Sequence, residues 1–162
     1  MRNQSKKIKS VDENLEWDTE FQHFLKEWFS GLIAGIEKLN DDIWPKVLEL
    51  TGRACAHVHS NELFWETWEA TRKLDEFLKK INEIYGEKVF EIIDDNTISV
   101  FYSKCTCPLV EHGLVDSPLL CNCSPSWLAE NFESILQKPV TVTTKKTILQ
   151  GAKSCNFIIS WE

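Results

Sequence analysis

The spacing of apolar residues along this chain indicates helices first and strands afterwards. From Phe21 to Leu39, large apolar side chains recur every three or four residues, which is the rhythm of an amphipathic helix. A second helix is predicted to begin near Pro45, because proline is well suited to the first turn. The pattern leaves open whether Gly52 bends or ends this helix or whether it continues to about His59.

The pattern changes from helical to extended spacing after a third predicted helix. This helix carries apolar residues from Phe64 to Ile84, and Gly86 follows it in the position of a left-handed C-terminal cap. The runs 89–93 and 97–102 are rich in β-branched and aromatic residues, and they flank a short polar turn. They therefore predict a β-hairpin.

The rest of the chain predicts a loop, a helix and a closing hairpin. Residues 108–120 have the composition of a loop, and a helix follows with Ser124 as its cap and Pro125 at its first position. The runs 139–149 and 154–161 then predict two more strands. The fold class predicted is α+β, with N-terminal helices packed on a β-β-α-β-β antiparallel sheet.

Composition bounds the class of protein. A chain of 162 residues with 43% hydrophobic residues predicts one folded domain over 18–162, preceded by a frayed tail over 1–17. The net charge of −7 argues against a nucleic-acid partner. No apolar run approaches the ~20 residues of a membrane span. The polar N-terminus lacks the apolar core of a signal peptide, so we expect a cytoplasmic protein with reduced thiols.

Aromatic residues are numerous, with seven Trp and nine Phe. Most are expected in the core, because large aromatic rings contribute much of the burial energy. A ligand cavity between the helices and the sheet is the alternative use for some of them. As candidate ligand-binding residues we single out Trp65, Trp68 and Phe101.

Two Cys-x-Cys pairs are the most informative motif. Cys105 and Cys107 precede the predicted loop 108–120, and Cys121 and Cys123 follow it. In extended backbone, residues i and i+2 face the same side, so each pair can direct its two sulfurs together. Four thiolates can hold a zinc ion, whose neighbouring ligand sulfurs lie a little under ~4 Å apart.

Three interpretations of these cysteines are open. They form a thiolate metal site, with zinc as the candidate ion, or a reactive or ligand-facing thiol cluster, or they are incidental buried thiols. Cys55 is a candidate fifth sulfur for the metal site. Cys155 alternates with Phe157 along the last predicted strand, which core packing explains.

Cys123 and Cys105 are also candidate catalytic nucleophiles. Cys123 directly precedes the helix that begins at Ser124, and a helix N-terminus stabilises a thiolate. The sequence therefore predicts Cys123 as the most acidic thiol. His112 lies in the loop between the two pairs, and it is the candidate general base for such a thiol.

Several of these stretches carry a resemblance to known proteins. Similar segments occur in a group of uncharacterised bacterial cysteine-containing proteins, and the C-terminal end also resembles the 4-vinyl reductase domain. A weaker match covers GRACA at 52–56, where the pattern has a cysteine before the glycine and this chain has Thr51. The segments are FYSKCTCPLV at 101–110, CNCS at 121–124 before a helix with Trp127 and Phe132, and GAKSCNFII at 151–159.

The resemblance carries its own expectations. The 4-vinyl reductase domain is a small-molecule-binding module whose fold is shared by haem-based nitric oxide sensors. The resemblance therefore implies helices packed on an antiparallel sheet around an internal ligand pocket. Some members of the bacterial group are described as hydrolases of 2-aminothiazoline-4-carboxylate, which implies hydrolysis as an alternative activity.

Three functions follow from these observations. The leading hypothesis is a cytoplasmic domain that binds a small molecule in an aromatic-rich pocket, with the cysteine pairs at its mouth as a thiol or metal site. The second is a thiol-dependent hydrolase. The third is an interaction or oligomerisation module, such as a homodimer, because the apolar stripe from Phe21 to Leu39 is wide enough to serve a partner as well as a core.

Overall fold

The computed structural model describes residues 19–162, so the predicted tail over 1–17 lies outside the described residues. The α+β class is confirmed, with helices preceding the sheet. Two 3₁₀ helices, Pro118–Cys123 and Ile148–Gln150, complete the described structure. The other elements, in chain order, are α1 Thr19–Ile36, α2 Trp44–His59, α3 Asn61–Thr71, α4 Leu74–Tyr85, β1 Phe90–Asp94, β2 Thr97–Tyr102, α5 Pro108–Glu111, α6 Ser124–Leu136, β3 Val140–Lys146 and β4 Cys155–Trp161.

The four strands form one antiparallel sheet in the order β1-β2-β4-β3. Side chains alternate across it, as the sequence predicted for β4: Cys155, Phe157 and Ile159 are buried and the residues between them are less so. On β2, Tyr102 lies opposite Cys155 and Val100 lies opposite Phe157. These pairs face the helices and form the floor of the interior.

The main core is an aromatic cluster between α3, α4, α6 and the sheet. Phe64, Phe77, Phe90 and Phe132 are at most 1% exposed. The ring centroid of Phe64 lies 5.6 Å from that of Phe77 and 5.8 Å from that of Phe132, in edge-to-face geometry. Each such pair adds about 0.5–1.5 kcal/mol beyond the area that it buries. The cluster therefore fixes these three helices on the sheet.

The third predicted helix is in fact two helices. Arg72 adopts a left-handed conformation with φ 55°, and its backbone N–H donates to the carbonyl oxygen of Trp68 at 2.8 Å. The break turns the chain so that Phe64 on α3 and Phe77 on α4 both enter the aromatic core. Arg72 has no conformational preference for this turn, and only the tertiary packing explains it. Gly86 ends α4 with φ 71°, as predicted.

Helix α1 is shorter than the predicted run to Leu39, and its apolar residues divide between two faces. Leu25, Phe29 and Ile33 pack against a small cluster formed by the segment 109–120. A second row on α1 stays exposed, including Trp28, which is 54% exposed. No helix among residues 19–162 combines the length and apolar character needed to cross a membrane.

Helix α2 runs through Gly52 to His59, which decides the question that the sequence left open. Gly52 is buried against the end of the 3₁₀ helix Pro118–Cys123. A Cβ atom at this position would lie 2.2 Å from the carbonyl oxygen of Cys123. The glycine is therefore needed for the close approach of α2 to the second cysteine pair.

Candidate functional site

The two cysteine pairs differ in backbone conformation. Cys105 and Cys107 lie in irregular backbone between β2 and α5, whereas Cys121 and Cys123 lie in the 3₁₀ helix Pro118–Cys123. The sequence predicted that extended backbone points the two sulfurs of each pair to the same side. This prediction is wrong for the second pair. A 3₁₀ helix has three residues per turn, so residues i and i+2 do not share a face.

The second pair owes its conformation to the residues just before it. Ser117 caps the 3₁₀ helix by accepting a hydrogen bond at its Oγ from the N–H of Leu119, at 3.3 Å. Pro118 then occupies the first position, where its missing N–H has no cost. These residues begin the turn that brings Cys121 and Cys123 back over the sheet.

All six cysteines of the chain line one cavity of about 190 Å³. We call it the thiol cavity. It lies between α2, the segment 104–124, the start of α6 and the ends of β2 and β4. Besides the cysteines, the lining includes Tyr85, Tyr102, Trp127, Leu128, Thr147, Leu149 and Phe157, with His59 and Lys104 among its exposed members.

Four of the cysteines that line the cavity influence one another electrostatically, and we call these four the thiol ring. A charge on Cys105 affects the pKa of Cys107 and of Cys121, and Cys123 responds to charges on Cys107 and Cys121. Each thiol of the two predicted pairs therefore lies near one thiol of the other pair. The fold brings the two Cys-x-Cys motifs together, although by a different backbone route from the one predicted.

Cys55 and Cys155 flank the thiol ring on different sides. A charge on Cys55 raises the pKa values of Cys107 and Cys123, so Cys55 lies on their side. Cys155 responds to charges on Cys105 and Cys121. Its sulfur also accepts a hydrogen bond from the backbone N–H of Ile148 at 3.3 Å, and it is buried in the core as the strand pattern predicted.

The electrostatics of Cys123 contradict the prediction that it is the most acidic thiol. Burial, followed by charges on Cys107, Cys55 and Cys121, raises its pKa to about 12. Cys123 is the residue just before α6, but the helix N-terminus does not offset the burial. The thiol is therefore protonated at neutral pH and is a poor nucleophile.

Burial also raises the pKa values of two other ring thiols, Cys107 and Cys121. Burial is the largest cause for Cys107 and for Cys121. The polar surroundings of Thr147 and Leu149 act in the opposite direction on the pKa of Cys121. The wall of the cavity is thus rich in neutral thiols.

No three or more His, Cys, Asp or Glu side chains within residues 19–162 are grouped as a site for one metal ion. The cysteines surround a space instead of converging on a point. A tetrahedral zinc site needs sulfurs a little under ~4 Å apart. Zinc at Cys105, Cys107, Cys121, Cys123 and Cys55 therefore stays a prediction.

His112 does not reach the thiol cavity. It is exposed at the end of α5, and its carbonyl oxygen accepts a hydrogen bond from Nε2 of Gln22 at 3.3 Å. The cavity residue with an imidazole is His59, in the last turn of α2. His112 is not among the residues that line the thiol cavity, and its role as a base for Cys123 or Cys105 stays a prediction.

The predicted ligand-binding aromatic residues also lie away from this cavity. Trp65 is 45% exposed on α3, and Trp68 packs edge-on against Phe77 in the aromatic core, with ring centroids 5.9 Å apart. Phe101 is exposed on the face of β2 opposite the buried Tyr102. The aromatic wall consists of four other residues, Tyr85, Tyr102, Trp127 and Phe157.

Tyr102 is the functional candidate that the sequence analysis missed. Its side chain is buried and lines the thiol cavity, yet its hydroxyl has no hydrogen-bond partner within residues 19–162. Burial, followed by a charge on Tyr85, raises its pKa well above the usual value. A buried hydroxyl without a partner costs about 1–3 kcal/mol. The alternation along β2, with Ile98, Val100 and Tyr102 inward, was the signal that could have found it.

Two polar contacts hold α2 against α6 and so keep the cavity wall in place. Arg53 Nη1 lies 2.6 Å from Glu130 Oε2 and 2.8 Å from Glu133 Oε2. About two turns further along, the buried hydroxyl of Ser60 at the C-cap of α2 donates to Oδ1 of Asn131 at 2.9 Å. These contacts position Cys55, because it lies between Arg53 and Ser60 on the same helix.

The sequence itself identifies no relative. No model of a known protein family matches the chain, and no curated protein matches it. The resemblance to the 4-vinyl reductase domain and to the hydrolase group therefore stays a prediction.

Comparison with solved structures shows the fold. A crystal structure of trafficking protein particle complex subunit 3 from Naegleria fowleri, covalently bound to palmitic acid, superposes with a TM-score of 0.52 at 12% identity, over 90% of this chain and 97% of that chain. The phenol-responsive sensory domain of the transcription activator PoxR with phenol gives a TM-score of 0.54 at 13% identity, over 88% of this chain and 73% of that chain.

A third structure is less similar. The SO2144 H-NOX domain from Shewanella oneidensis in the Fe(II)CO ligation state gives a TM-score of 0.44 at 15% identity, over 88% of this chain and 74% of that chain. A superposition at this level supports no conclusion about the fold. The first two structures show that the α+β arrangement found here also occurs in a small-molecule sensor domain and in a trafficking-complex subunit.

Proposed function

We propose that this chain is a ligand-binding domain whose small ligand occupies the thiol cavity. The observation that carries the proposal is an internal cavity of about 190 Å³ that is lined by all six cysteines together with aromatic and aliphatic side chains. A mostly apolar cavity with a few polar groups is the usual form of a small-molecule site.

The size of the cavity limits the ligand. An apolar cavity of about 150 Å³ holds one benzene molecule, and the thiol cavity has about 190 Å³. A ligand of roughly one ring therefore fits, as phenol does in size. A sixteen-carbon chain does not fit, so the palmitic acid of the trafficking-complex subunit is not a suitable guide to the ligand of this chain.

The chemistry of the wall favours a soft ligand. Sulfur is polarisable and interacts well with aromatic rings and with soft metals. Trp127, Phe157 and the ring of Tyr102 contribute apolar surface. A strongly hydrated ion would find few partners in such a wall.

Binding is favoured over hydrolysis by the state of the thiols. A cysteine nucleophile reacts as a thiolate and needs a lowered pKa or an adjacent base. Here burial raises the pKa of Cys123 to about 12, and His112 does not line the cavity. The hydrolase remains an alternative without a supporting contact.

The test is a native mass spectrum of the full chain, purified without chelator and without oxygen. We expect a mass above the 18.8 kDa of the polypeptide, and we expect Tyr102→Leu, which removes an aromatic ring from the cavity wall, to reduce the fraction that carries it. Phe101→Leu is the matched control, because it lies one position earlier and faces the opposite side of β2. Bare polypeptide in all three samples would overturn the proposal.

A homodimer is a second candidate, favoured by the exposed row on α1. Phe24, Trp28 and Leu32 are 56%, 54% and 44% exposed, more than is usual for neighbouring large apolar residues. Light scattering should give twice the polypeptide mass for the wild type and the single mass for Trp28→Glu. Val58→Glu, on the exposed side of α2, is the control that should leave the dimer intact. A monomeric wild type at high concentration would contradict this candidate.

A further inference from the structure

We propose that α1 is a self-association surface, on which the α1 helix of a second copy of this chain packs in antiparallel orientation. Large aromatic side chains of one copy then lie against glycines of the other. This inference rests on the homodimer of the proposed function, because it names the register of the two helices in that dimer. It accounts for a face of α1 that is bulky at one end and bare at the other.

The exposed face of α1 follows the spacing of a helix–helix seam. Four of its exposed positions, which we call the α1 seam, are separated by four, three and four residues: Phe24, Trp28, Gly31 and Gly35. Such positions share one side of a helix, as the a and d positions of a coiled coil do. A different side of α1 packs against the segment 109–120, so the α1 seam is left open to a partner.

The two glycines of the α1 seam are not needed by the single chain. Both lie in regular helix, and neither has the positive φ found at Gly86. A Cβ atom at either position would meet nothing within 4 Å. Glycine is less favourable than alanine within a helix, so two of them on one face carry a cost that no contact within residues 19–162 offsets. A second helix that approaches the bare backbone would offset this cost.

The aromatic end of the α1 seam supplies side chains that match this bare backbone. Phe24 and Trp28 are 56% and 54% exposed. The ring of Trp28 lies edge-on against that of Phe29, with ring centroids 5.2 Å apart, and Phe29 packs against the segment 109–120. Trp28 is therefore held in position before a partner arrives, which reduces the entropy lost on association.

One two-fold axis brings large against small at both ends of the α1 seam. In an antiparallel helix pair, residue numbers rise along one helix and fall along the other. An axis halfway between Trp28 and Gly31 places Trp28 opposite Gly31 of the second copy. The same axis places Phe24 opposite Gly35 of the second copy. A parallel pair would instead set ring against ring and glycine against glycine, which leaves a gap at the glycines.

The area of this face indicates a weak, concentration-dependent dimer. A large aromatic side chain buries about 150–250 Å² in full, so a half-exposed one offers roughly 100 Å². Leu32 adds to the face, because it is 44% exposed. Together with the helix backbone, two copies would bury on the order of 1,000 Å², whereas stable specific interfaces bury about 1,200–2,000 Å². Association in the micromolar range is therefore expected.

The experiment is sedimentation equilibrium of the full chain, with reduced thiols, over a wide range of concentrations. We expect the wild type to pass from monomer to dimer as the concentration rises. Gly31→Leu and Gly35→Leu should each weaken the dimer by about tenfold or more, because the new side chain fills the space that the ring of the second copy needs. Ser30→Leu, exposed on the same helix but outside the α1 seam, is the control and should leave the dissociation constant unchanged.

Both glycine variants add apolar surface, which makes the test discriminating. An apolar face without the proposed register would associate as tightly or more tightly after either substitution, and that result would overturn the proposal. A weaker dimer is not explained by misfolding, because a Cβ at either glycine meets nothing within 4 Å in the single chain. Circular dichroism of each variant checks that the fold is retained.

A residue swap gives a second readout of the register. Trp28→Gly and Gly31→Trp should each weaken the dimer by about tenfold when made alone. Made together, they exchange the large and the small partner at the same contact, so the double variant should recover the dissociation constant of the wild type. A double variant as weak as the two single variants would overturn the proposal.

The outcome for the register is distinguishable from that for the homodimer. Equal dimerisation of the wild type and of both leucine variants rejects the register and leaves the homodimer standing. A wild type that stays monomeric at every concentration rejects both.

Discussion

The two ends of the interior lie on the same face of the same two strands, yet one is filled and the other is hollow. At the filled end, Ile98 of β2 lies opposite Ile159 of β4, and the aromatic core covers both. At the other end, Tyr102 lies opposite Cys155, and both line the thiol cavity. The difference lies in the side chains that the helices and loops bring to each end.

Side-chain size explains the contrast. Four phenylalanines from three helices and one strand interlock at the filled end, with ring centroids 5.6, 5.8 and 5.4 Å apart in three of their pairs. At the hollow end six cysteines, which are small for buried residues, share the wall with four aromatic residues. The filled end therefore provides stability, and the hollow end provides a site at the expense of packing.

The largest expected effect on stability comes from a substitution in the aromatic core at the filled end. Phe132→Ala removes a fully buried ring that contacts Phe64, Phe77 and Phe90. We expect the free energy of unfolding in urea to fall by about 3–5 kcal/mol. Trp65→Ala, at an exposed position on α3, is the control, and it should change stability far less. Equal effects of the two substitutions would show that the aromatic cluster is not the stabilising centre.

The next effect acts on the wall of the hollow end. Gly52→Ala places a methyl group 2.2 Å from the carbonyl oxygen of Cys123, so α2 and the 3₁₀ helix must separate. We expect a loss of about 1–3 kcal/mol in urea unfolding. Gly31→Ala is the matched control, because a Cβ there meets nothing within 4 Å. That control should be stabilising by up to about 1 kcal/mol, since alanine favours a helix. A neutral Gly52→Ala would contradict the close contact.

A smaller effect tests the burial of the Tyr102 hydroxyl. Tyr102→Phe removes the buried hydroxyl that lacks a partner among residues 19–162. In ligand-free protein we expect the free energy of unfolding to stay within about 1 kcal/mol of the wild type or to rise, because no hydrogen bond is lost. A loss of several kcal/mol in the ligand-free form would mean that the hydroxyl has a structural partner.

The smallest expected effect is a pH dependence of the folding stability, which follows from the burial of the two tyrosines. Tyr85 and Tyr102 are the only tyrosines in the chain, and burial raises the pKa of both. The unfolded chain ionises them near ~10, so above that pH the folded state binds more protons than the unfolded state. The stability that they contribute is complete below about pH 10 and declines as the pH rises further.

Ultraviolet absorption of tyrosinate measures this titration. We expect little ionisation of folded protein at pH values where urea-unfolded protein is fully ionised. Superimposable titration curves for the two states would show that neither ring is buried at the cavity.

Local patterns were sufficient to predict the fold class. The alternation along β2 and β4 and the helical spacing before them depend on neighbouring residues, so the α+β class and the buried position of Cys155 followed from the sequence. The helix break at Arg72 was not predictable in this way. It has no glycine or proline, and only the meeting of Phe64 with Phe77 accounts for it.

The two cysteine motifs were visible in the sequence, but their geometry and their surroundings were not. Cys105, Cys107, Cys121 and Cys123 were identified from their spacing, but the 3₁₀ helix that carries the second pair and the cavity that they surround depend on tertiary contacts. The pKa of Cys123 was predicted in the wrong direction, because sequence shows the nearby helix N-terminus and does not show the depth of burial.

A crystal structure of anaerobically purified protein tests the central claim most directly. The account predicts strong electron density for a non-protein group in the thiol cavity, in contact with the sulfurs of the thiol ring and with the aromatic side chains of the wall. Side chains that close the space, or sulfurs that point away from one another, would contradict it.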